Sequence, residues 1–163
     1  MIGPSAHLDT FSRDNLPEES LQPDFLLDNF NYPSFLNVAE ELTDAMVIKG
    51  FGDNIALIGN GRRRTYKELT DWTNRLANTL IEDYGVKSGN RVLIRSANNP
   101  AMVACWLAAT KVGAVVVNTM PMLRSQELEK IINKAEITHA LCDSRLLSEL
   151  ESCMGLNKFL KYL

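Results

Sequence analysis

Residues 91–124 decide the fold, and they read RVLIRSANNPAMVACWLAATKVGAVVVNTMPMLR. Two short apolar runs within them, 92–94 and 114–117, have the composition of strands that are buried on both faces. Between these runs, Asn-Asn-Pro at 98–100 provides an N-cap and a proline for the first helical turn, and Lys-Val-Gly at 111–113 provides a last-turn cation and a glycine stop. The stretch therefore predicts a βαβ unit whose two strands are parallel neighbours.

The helix predicted at 100–112 is apolar almost all the way round, because no charged residue occurs from Ala101 to Ala109. A helix that covers a sheet in a small free domain normally keeps a polar stripe toward solvent, so a helix without one is usually covered on its outer side as well. The rest of the chain offers little material for that cover. We therefore expect the cover to come from a larger assembly, of which this chain is a part.

Length and composition exclude several classes of partner. At 163 residues and a formal net charge of −3, the chain is long enough for one domain with a sizeable core, and it lacks the basic excess that nucleic acid or an anionic membrane would attract. The longest uncharged stretch, 96–110, is too short to span a bilayer. The first residues have neither the basic nor the apolar region of a secretory signal, so we expect a cytoplasmic protein.

Neither the cysteines nor the histidines form a pattern typical of a metal or catalytic site. Cys105, Cys142 and Cys153 are widely spaced in apolar or helical surroundings without a CxxC pair, so we expect reduced thiols in the core. The histidines are His7 and His139, and the apolar neighbours of His139 favour a hydrogen-bonded structural role. We expect no metal ligands in this chain.

The N-terminal part differs in character from the remainder. Four prolines interrupt residues 1–33 among polar and acidic residues, which predicts irregular structure. We therefore divide the chain into an irregular N-terminal arm at 1–33 and a partial α/β subdomain at 34–163. We expect the arm to lie on a larger body, with disorder in isolation as the alternative. Its predicted anchors are Phe11, Phe25, Leu26, Leu27 and Phe30.

Three elements are predicted between the arm and the βαβ unit. The apolar spacing at 37–49 predicts a helix, and the Gly-Asn-Gly turn at 59–61 predicts a β-hairpin. Thr65 and Glu68 form a capping box, so a second helix begins there and continues to about Asp83.

Three further elements are predicted after the βαβ unit. A helix begins at Arg124 or Ser125, a parallel strand follows at 138–142, and Asp143 caps a last helix that continues to Leu150.

Several motifs resemble the beginning of an AMP-forming acyl-CoA synthetase, a member of the superfamily of adenylate-forming enzymes. They are NRVLIR at 90–95, NNP at 98–100, CWLA at 105–108, KVGAVVV at 111–117 and TMPMLR at 119–124. The resemblance covers nearly the whole chain but only the opening part of such an enzyme.

The arm narrows this resemblance. SAHLDTF at 5–11 and RDNLP at 13–17 are similar to the N-terminal arm of 2-aminobenzoate-CoA ligases, which are aryl-CoA ligases. RTYKEL at 64–69 resembles an early motif of the superfamily. Arg124 and Ser125 depart from the threonine-proline with which family members usually start the next helix.

The resemblance implies a fold and an activity. The fold is a three-layer α/β/α arrangement with a mainly parallel sheet, together with the hairpin and the arm. The activity is that of an acid-thiol ligase, which converts a carboxylate into an acyl-adenylate and then a CoA thioester, with ATP, Mg²⁺ and CoA as cofactors of the full-length enzyme. The implied partners are a small carboxylic acid and the remainder of the enzyme, namely its nucleotide-binding and C-terminal domains. A benzoate or 2-aminobenzoate type of acid is preferred, and a fatty acid or amino acid is the alternative.

The catalytic motifs of the superfamily have no counterpart in this sequence. They are a phosphate loop ending in lysine, a glutamate for magnesium, an aspartate for the ribose and a mobile lysine. We therefore assign no catalytic residue and expect the 163-residue chain alone to be inactive and to bind no cofactor. Candidate ligand contacts are the loops at 95–99 and 119–124, with Arg145 a weak candidate for the phosphates of CoA. Loop capping or surface charge is the competing interpretation of each.

Two other classes of function remain open at this point. One is a stand-alone flavodoxin-like binding or regulatory module, and the other is a non-catalytic interaction domain. A helix at 100–112 covered by its own chain would favour the first of these. Exposed apolar surface would favour an incomplete enzyme, an interaction domain or a homo-oligomer.

Overall fold

The computed structural model describes residues 5–22, 30, 32–154 and 157–163. Two short helical segments precede residue 30 in the described part, and the nine strands and α-helices after residue 54 all belong to a sheet or pack against one. The elements, in chain order, are α1 (Phe11–Asp14), a 3₁₀ turn (Glu19–Leu21), α2 (Val38–Leu42), α3 (Asp44–Met46), a π turn (Val47–Phe51), β1 (Ile55–Gly59), β2 (Arg62–Thr65), α4 (Tyr66–Glu82), β3 (Arg91–Arg95), α5 (Pro100–Lys111), β4 (Val115–Thr119), α6 (Ser125–Ala135), β5 (His139–Cys142), a second 3₁₀ turn (Ser144–Leu146) and α7 (Leu147–Met154).

The main sheet has three parallel strands in the order β4-β3-β5. Arg91 pairs with Val115 at one end of the β3/β4 ladder and Arg95 pairs with Thr119 at the other, while Arg95 also pairs with Cys142 of β5. Every residue of β3 is buried, as expected for a central strand covered on both faces. The predicted βαβ unit with parallel neighbouring strands is confirmed.

Helices cover both faces of this sheet. On one face, Leu93 packs with Leu128 and Ile132 of α6 and Leu150 of α7. On the other face, Val92 packs with apolar side chains of α4 and α5, which are Ala77, Leu80, Ala108 and Ala109. The structure is therefore a three-layer α/β/α arrangement with a parallel sheet, as the sequence predicted.

The outer side of α5 is covered by this chain itself, so the expectation that a larger assembly would cover it is wrong. Of the residues of α5, Ala101 alone is exposed. Its outer side chains, among them Trp106, pack in one cluster with residues of α2, β1 and α4, namely Ala39, Ala56, Leu57, Leu69 and Trp72. The sequence does not reveal this cover because α2 and the hairpin return to α5 only through long-range contacts.

The helix predicted at 37–49 is interrupted at Thr43. Its backbone leaves the helical region there, with φ −126° and ψ −80°, and its hydroxyl donates to the carbonyl of Ala39 at 2.6 Å. A threonine hydroxyl that bonds to the preceding turn offers the backbone an alternative to continuing the helix. After the break, Asp44 forms an ion pair with Lys111, which joins α3 to the end of α5.

The hairpin and the capping box follow the prediction. Asn60 and Gly61 both have positive φ angles, 51° and 72°, which is the requirement of a type I′ turn. The hydroxyl of Thr65 accepts from the amide of Glu68 at 3.2 Å, and the Glu68 carboxylate accepts from the Thr65 amide at 2.8 Å. The turn between β1 and β2 and the start of α4 are therefore both determined by neighbouring residues in the sequence.

The N-terminal arm is attached at the amino end of β3. The amides of Leu8 and Asp9 donate to the carbonyl of Ser88 at 3.1 and 2.9 Å, and Asp9 forms an ion pair with Arg91. The ring of Phe11 lies 4.4 Å from the guanidinium of Arg91, which confirms Phe11 as an anchor.

The other predicted anchors have different outcomes. Phe30 is 59% exposed and stacks on Tyr32, so it does not anchor the arm on the described part of this chain, and its contact with a larger body stays a prediction. Phe25, Leu26 and Leu27 lie outside the described residues.

Within the described ranges, no helix combines the length and hydrophobicity needed to cross a bilayer.

Candidate ligand-binding edge

The carboxyl ends of the three parallel strands meet at one edge of the sheet, which is where open α/β sheets bind ligands. We call residues 95–99, 119–124 and 142–146 the carboxyl edge. It includes both loops predicted from the sequence and Arg145. The topology therefore brings the predicted candidates to one side of the molecule.

Arg95 is the central residue of this edge. Its side chain is 1% exposed. The guanidinium donates to the carbonyls of Leu123 at 2.8 Å, Pro121 at 3.0 Å, Met120 at 3.1 Å and Leu146 at 3.3 Å. Arg95 was predicted only as the first residue of a candidate loop, and its role as a buried donor was missed. The signal was an arginine that ends an otherwise apolar central strand, because such a charge needs buried partners.

A cavity of about 320 Å³ opens between β3, β5 and the start of α5. Its wall is largely apolar and contains two thiols, and its polar side chains come from the carboxyl edge. The apolar wall includes Ile94, Met102 and Leu141, the thiols are Cys105 and Cys142, and the polar residues are Ser96, Asn99, Asp143 and Ser144. Burial raises the pKa of both thiols, so they remain protonated near neutral pH.

Asn99 has a structural role in this cavity. Its side-chain oxygen accepts from the amide of Met102 at 2.9 Å, and its side-chain nitrogen donates to the hydroxyl of Ser96 at 3.2 Å. It is therefore the predicted N-cap of α5. The loop at 95–99 is held by this cap and by the amide of Asp143, which donates to the carbonyl of Arg95 at 2.9 Å.

Arg145 is 76% exposed and is paired with Asp143. Its Nε and Nη2 donate to the two carboxylate oxygens at 3.0 and 2.6 Å, so the pair is bidentate. This hydrogen bonding lowers the pKa of Asp143 to about 2. A phosphate that bound Arg145 would have to compete with an ionised carboxylate.

The start of α6 is capped by acidic side chains that the sequence did not identify together. The Glu127 carboxylate accepts from the Arg124 amide at 2.9 Å, and Glu149 of α7 accepts from the Ser125 amide at 2.8 Å. Hydrogen bonding from Arg124 lowers the pKa of Glu149. The sequence left the cap of this helix uncertain, because Arg124 and Ser125 stand where family members usually have threonine-proline. In the structure, the carboxylates of Glu127 and Glu149 cap the helix instead.

His139 lies at the opposite end of β5 and has the structural role that the sequence predicted. The Thr138 hydroxyl donates to Nδ1 at 2.7 Å, and Nε2 donates to the Tyr84 carbonyl at 2.9 Å. Its ring also stacks on Tyr162 with the centroids 4.8 Å apart. Burial lowers the pKa of His139, which favours this neutral tautomer.

A second cavity, of about 810 Å³, lies between the arm, residues 34–38 and the end of α5. It includes His7, Ser88 and Gly113, so it is on the amino side of the sheet rather than at the carboxyl edge.

In the described part of the chain, no three His, Cys, Asp or Glu side chains are grouped as metal ligands.

The sequence matches one family model, described as AMP-binding enzyme, over residues 45–161. A 3-hydroxybenzoate-CoA ligase from Aromatoleum sp. (strain CIB) is 34% identical over 97 residues, which are 60% of this chain and 18% of that ligase. A 3-hydroxybenzoate-CoA/4-hydroxybenzoate-CoA ligase from Thauera aromatica is 29% identical over 120 residues, which are 74% of this chain and 23% of the relative. The chain thus spans about a fifth of the length of these curated relatives.

Solved structures share the fold. The anthranilate CoA ligase AuaEII, determined in complex with anthranoyl-AMP, superposes with a TM-score of 0.74 at 20% identity over 82% of this chain and 26% of that one. A benzoate CoA ligase from Burkholderia xenovorans superposes with a TM-score of 0.70 at 19% identity over 78% of this chain and 25% of that one. At these identities the likeness establishes the fold alone.

Proposed function

Because the chain belongs to the family of AMP-binding enzymes, we propose that it forms the N-terminal portion of an acid-thiol ligase for an aromatic carboxylic acid. The observation that carries this proposal is the match to hydroxybenzoate-CoA ligases over a limited part of their length. The proposed acid is of the benzoate or 2-aminobenzoate type. Two matched ligases are named for hydroxybenzoates, and AuaEII is named for anthranilate.

The proposed reaction has two steps. The carboxylate of the acid attacks the α-phosphorus of ATP, pyrophosphate leaves, and a mixed anhydride with AMP forms. The CoA thiol then attacks the carbonyl carbon, AMP leaves, and the thiol proton passes to solvent. ATP, Mg²⁺ and CoA are the proposed cofactors of the complete enzyme, in which magnesium would screen the phosphate charge.

In this proposal the chain supplies a scaffold rather than reacting groups. The two ionic side chains at the end of β5, Asp143 and Arg145, neutralise each other, and both thiols of the cavity are protonated. We therefore assign no step of the reaction to these residues. Arg145 remains the proposed contact for a CoA phosphate, on condition that it leaves Asp143.

The arm and the surroundings of the chain are also part of the proposal. We propose that residues 1–33 act as an arm on the subdomain at 34–163, that the remainder of the ligase is its main partner, and that the protein works in the cytoplasm. Exposed apolar side chains such as Ile48 and Met122 provide surface for that partner or for a homo-oligomer.

One experiment tests the ligase assignment directly. The coding sequence downstream of the Leu163 codon should encode a glycine-rich phosphate loop followed by lysine. A stop codon directly after Leu163 would exclude the ligase assignment for this gene product. Independently, the purified 163-residue chain should catalyse no ATP-pyrophosphate exchange with benzoate or 2-aminobenzoate, and measurable exchange would contradict the scaffold role.

A stand-alone binding module is the second candidate, and the cover of α5 by α2, β1 and α4 is the observation that favours it. Such a module would bind its ligand without any further chain. Titration of the purified chain with FMN, followed by flavin fluorescence, tests this candidate. Saturable binding supports the module, and the absence of binding excludes a flavin-binding module.

A further inference from the structure

Arg95 places a positive charge inside the carboxyl edge without a balancing carboxylate. None of the ion pairs formed by the described residues includes Arg95. Removing a guanidinium from water is unfavourable unless hydrogen bonds replace its hydration. The four backbone carbonyls provide that replacement, and they do so by turning inward.

The four carbonyls belong to two separate segments. Met120, Pro121 and Leu123 lie in the loop after β4, and Leu146 lies in the 3₁₀ turn after β5. Because β3 lies between β4 and β5, a side chain at its carboxyl end reaches the exits of both neighbours. A planar guanidinium with donors in several fixed directions suits this task, and a lysine ammonium does not.

Two further hydrogen bonds join the same three strand ends. The amide of Asp143 donates to the carbonyl of Arg95 at 2.9 Å, and the hydroxyl of Thr119 donates to the carbonyl of Ile94 at 3.3 Å. The side chains of Met120 and Met122 meanwhile point outward, 60% and 79% exposed. The loop is therefore fixed through its backbone and open through its side chains.

We propose that Arg95 is the positioning residue of the carboxyl edge. It holds the loop at 120–123 and the turn at 144–146 in one fixed relation before any ligand arrives. Such preorganisation lowers the cost of ordering the loop on binding. This role of Arg95 depends on the proposed function in one respect, which is that ligands bind at the carboxyl edge.

The test compares Arg95→Lys with Arg91→Lys by amide hydrogen exchange in the 163-residue chain without ligand. Arg91 is the matched control, because it is the first residue of the same strand, is also buried and also donates to backbone carbonyls. Arg95→Lys should accelerate exchange at Leu123 and Leu146 at least about tenfold more than Arg91→Lys does. The amide of Leu123 donates to the carbonyl of Met120, and the amide of Leu146 donates to the carbonyl of Asp143, so both report on the segments that Arg95 contacts.

Equal acceleration at these amides in both variants would reduce Arg95 to a general stabiliser and overturn the proposal. Unchanged exchange in Arg95→Lys would also overturn it. Because no ligand or turnover is involved, a failure of the ligase assignment leaves this result intact, and the reverse holds as well.

A measurement on the unaltered chain removes any dependence on how well a variant folds. In NMR spectra of the arginine side chains, the Nη protons of Arg95 should be resolved and exchange slowly with water. Rotation about the guanidinium bonds would break the hydrogen bonds from Nη1 and Nη2 to the loop carbonyls. Arg62, which is exposed on β2, provides the averaged reference. Averaged Nη signals for Arg95 would contradict its proposed role in holding the loop and the turn.

Discussion

Arg91 and Arg95 hold opposite ends of α6 from a single strand. Arg91 donates to the carbonyls of Ala135 and Glu136 at 2.8 and 3.0 Å, where α6 ends, and Arg95 donates to Leu123, just before α6 begins. Residues four apart in a strand project from the same face, so both arginines lie on the side that α6 covers. Arg91 is also favourably placed as a cation at a helix carboxyl terminus.

Leu93 lies between these two arginines, and its replacement should weaken the fold most directly. Leu93→Ala removes a fully buried side chain that packs on Leu128 and Ile132, and it should lower the free energy of unfolding by about 2–5 kcal/mol. Urea denaturation followed by circular dichroism measures this loss. Ile81→Ala, at an exposed position on α4, is the control and should cost less than about 1 kcal/mol. Similar losses in the two variants would argue against β3 as the centre of the core.

Asp9→Asn should destabilise the arm and alter the response to acid. The carboxylate pairs with buried Arg91, and removal of one partner of such a pair costs about 1–3 kcal/mol when the other side is partly exposed. Burial raises the pKa of Asp9, but hydrogen bonds from the Phe11 amide, Arg91 and Asn90 outweigh it, so the net shift is downward.

The direction of that shift gives the pH dependence. A carboxyl whose pKa is lower in the folded state stabilises the fold above its unfolded pKa, and the stabilisation is lost as the pH falls through the folded value. Thermal unfolding between about pH 2 and 6 should therefore be less pH-dependent in Asp9→Asn than in the parent chain. Asp71→Asn, at an exposed position of α4, is the control and should keep the parental profile. An unchanged profile in Asp9→Asn would contradict the pairing.

Gly89→Ala should detach the arm. Gly89 has φ +88°, and a Cβ there would overlap the backbone carbonyl of Asp9 and approach the side chain of His7. Gly85→Ala separates the two causes, because Gly85 also has a positive φ, +65°, but has free space where a Cβ would stand.

We therefore expect a strain cost of about 1–2 kcal/mol in Gly85→Ala and a larger cost in Gly89→Ala. Hydrogen exchange at the amides of Leu8 and Asp9 should accelerate in Gly89→Ala alone. Acceleration in both variants would mean that backbone strain, and not the close approach of the arm, determines the effect.

His139→Gln should flatten the pH dependence of stability near neutrality. Burial lowers the pKa of His139, so the unfolded chain takes up the proton first as the pH falls below about 6.5. Stability from His139 is thus complete above that pH and is lost on acidification through the folded pKa. Thermal melts between pH 5 and 8 measure the effect. His7→Gln, at an exposed position, should retain the parental profile, and identical slopes in all three proteins would contradict the prediction.

Asp143→Asn tests Arg145 as a phosphate contact. Asp143 has a pKa of about 2, so at neutral pH it is ionised and occupies the guanidinium. Its neutralisation should strengthen binding of CoA to the full-length ligase by about threefold to tenfold, as measured by isothermal titration calorimetry. Arg145→Met should abolish that gain when combined with Asp143→Asn. If CoA binds equally to the parent and both variants, Arg145 is not a contact.

Local chemistry predicted much of this fold. The cap at Asn99, the capping box at Thr65 and Glu68, and the turn at Asn60 and Gly61 each depend on neighbours within four residues, so the sequence carries their signal. The same holds for the apolar runs that became β3 and β4.

The missed features depend on long-range contacts. The cover of Trp106 and the carbonyl partners of Arg95 come from segments more than twenty residues away, and a backbone carbonyl has no sequence signature. The pairing of Asp143 with Arg145 is local and could have been anticipated from their spacing. Because Asp143 occupies the guanidinium of Arg145, this pairing bears directly on the prediction that Arg145 contacts a phosphate, which stays a prediction.

Tyr162 pairs in parallel with His139 of β5, and its carbonyl oxygen accepts a hydrogen bond from the amide of Ala140 at 2.9 Å. This pairing begins a third parallel ladder of the main sheet, on the outer side of β5. A polypeptide that continued it would travel beside Leu141 and Cys142 and emerge on the same side as the loops that Arg95 holds.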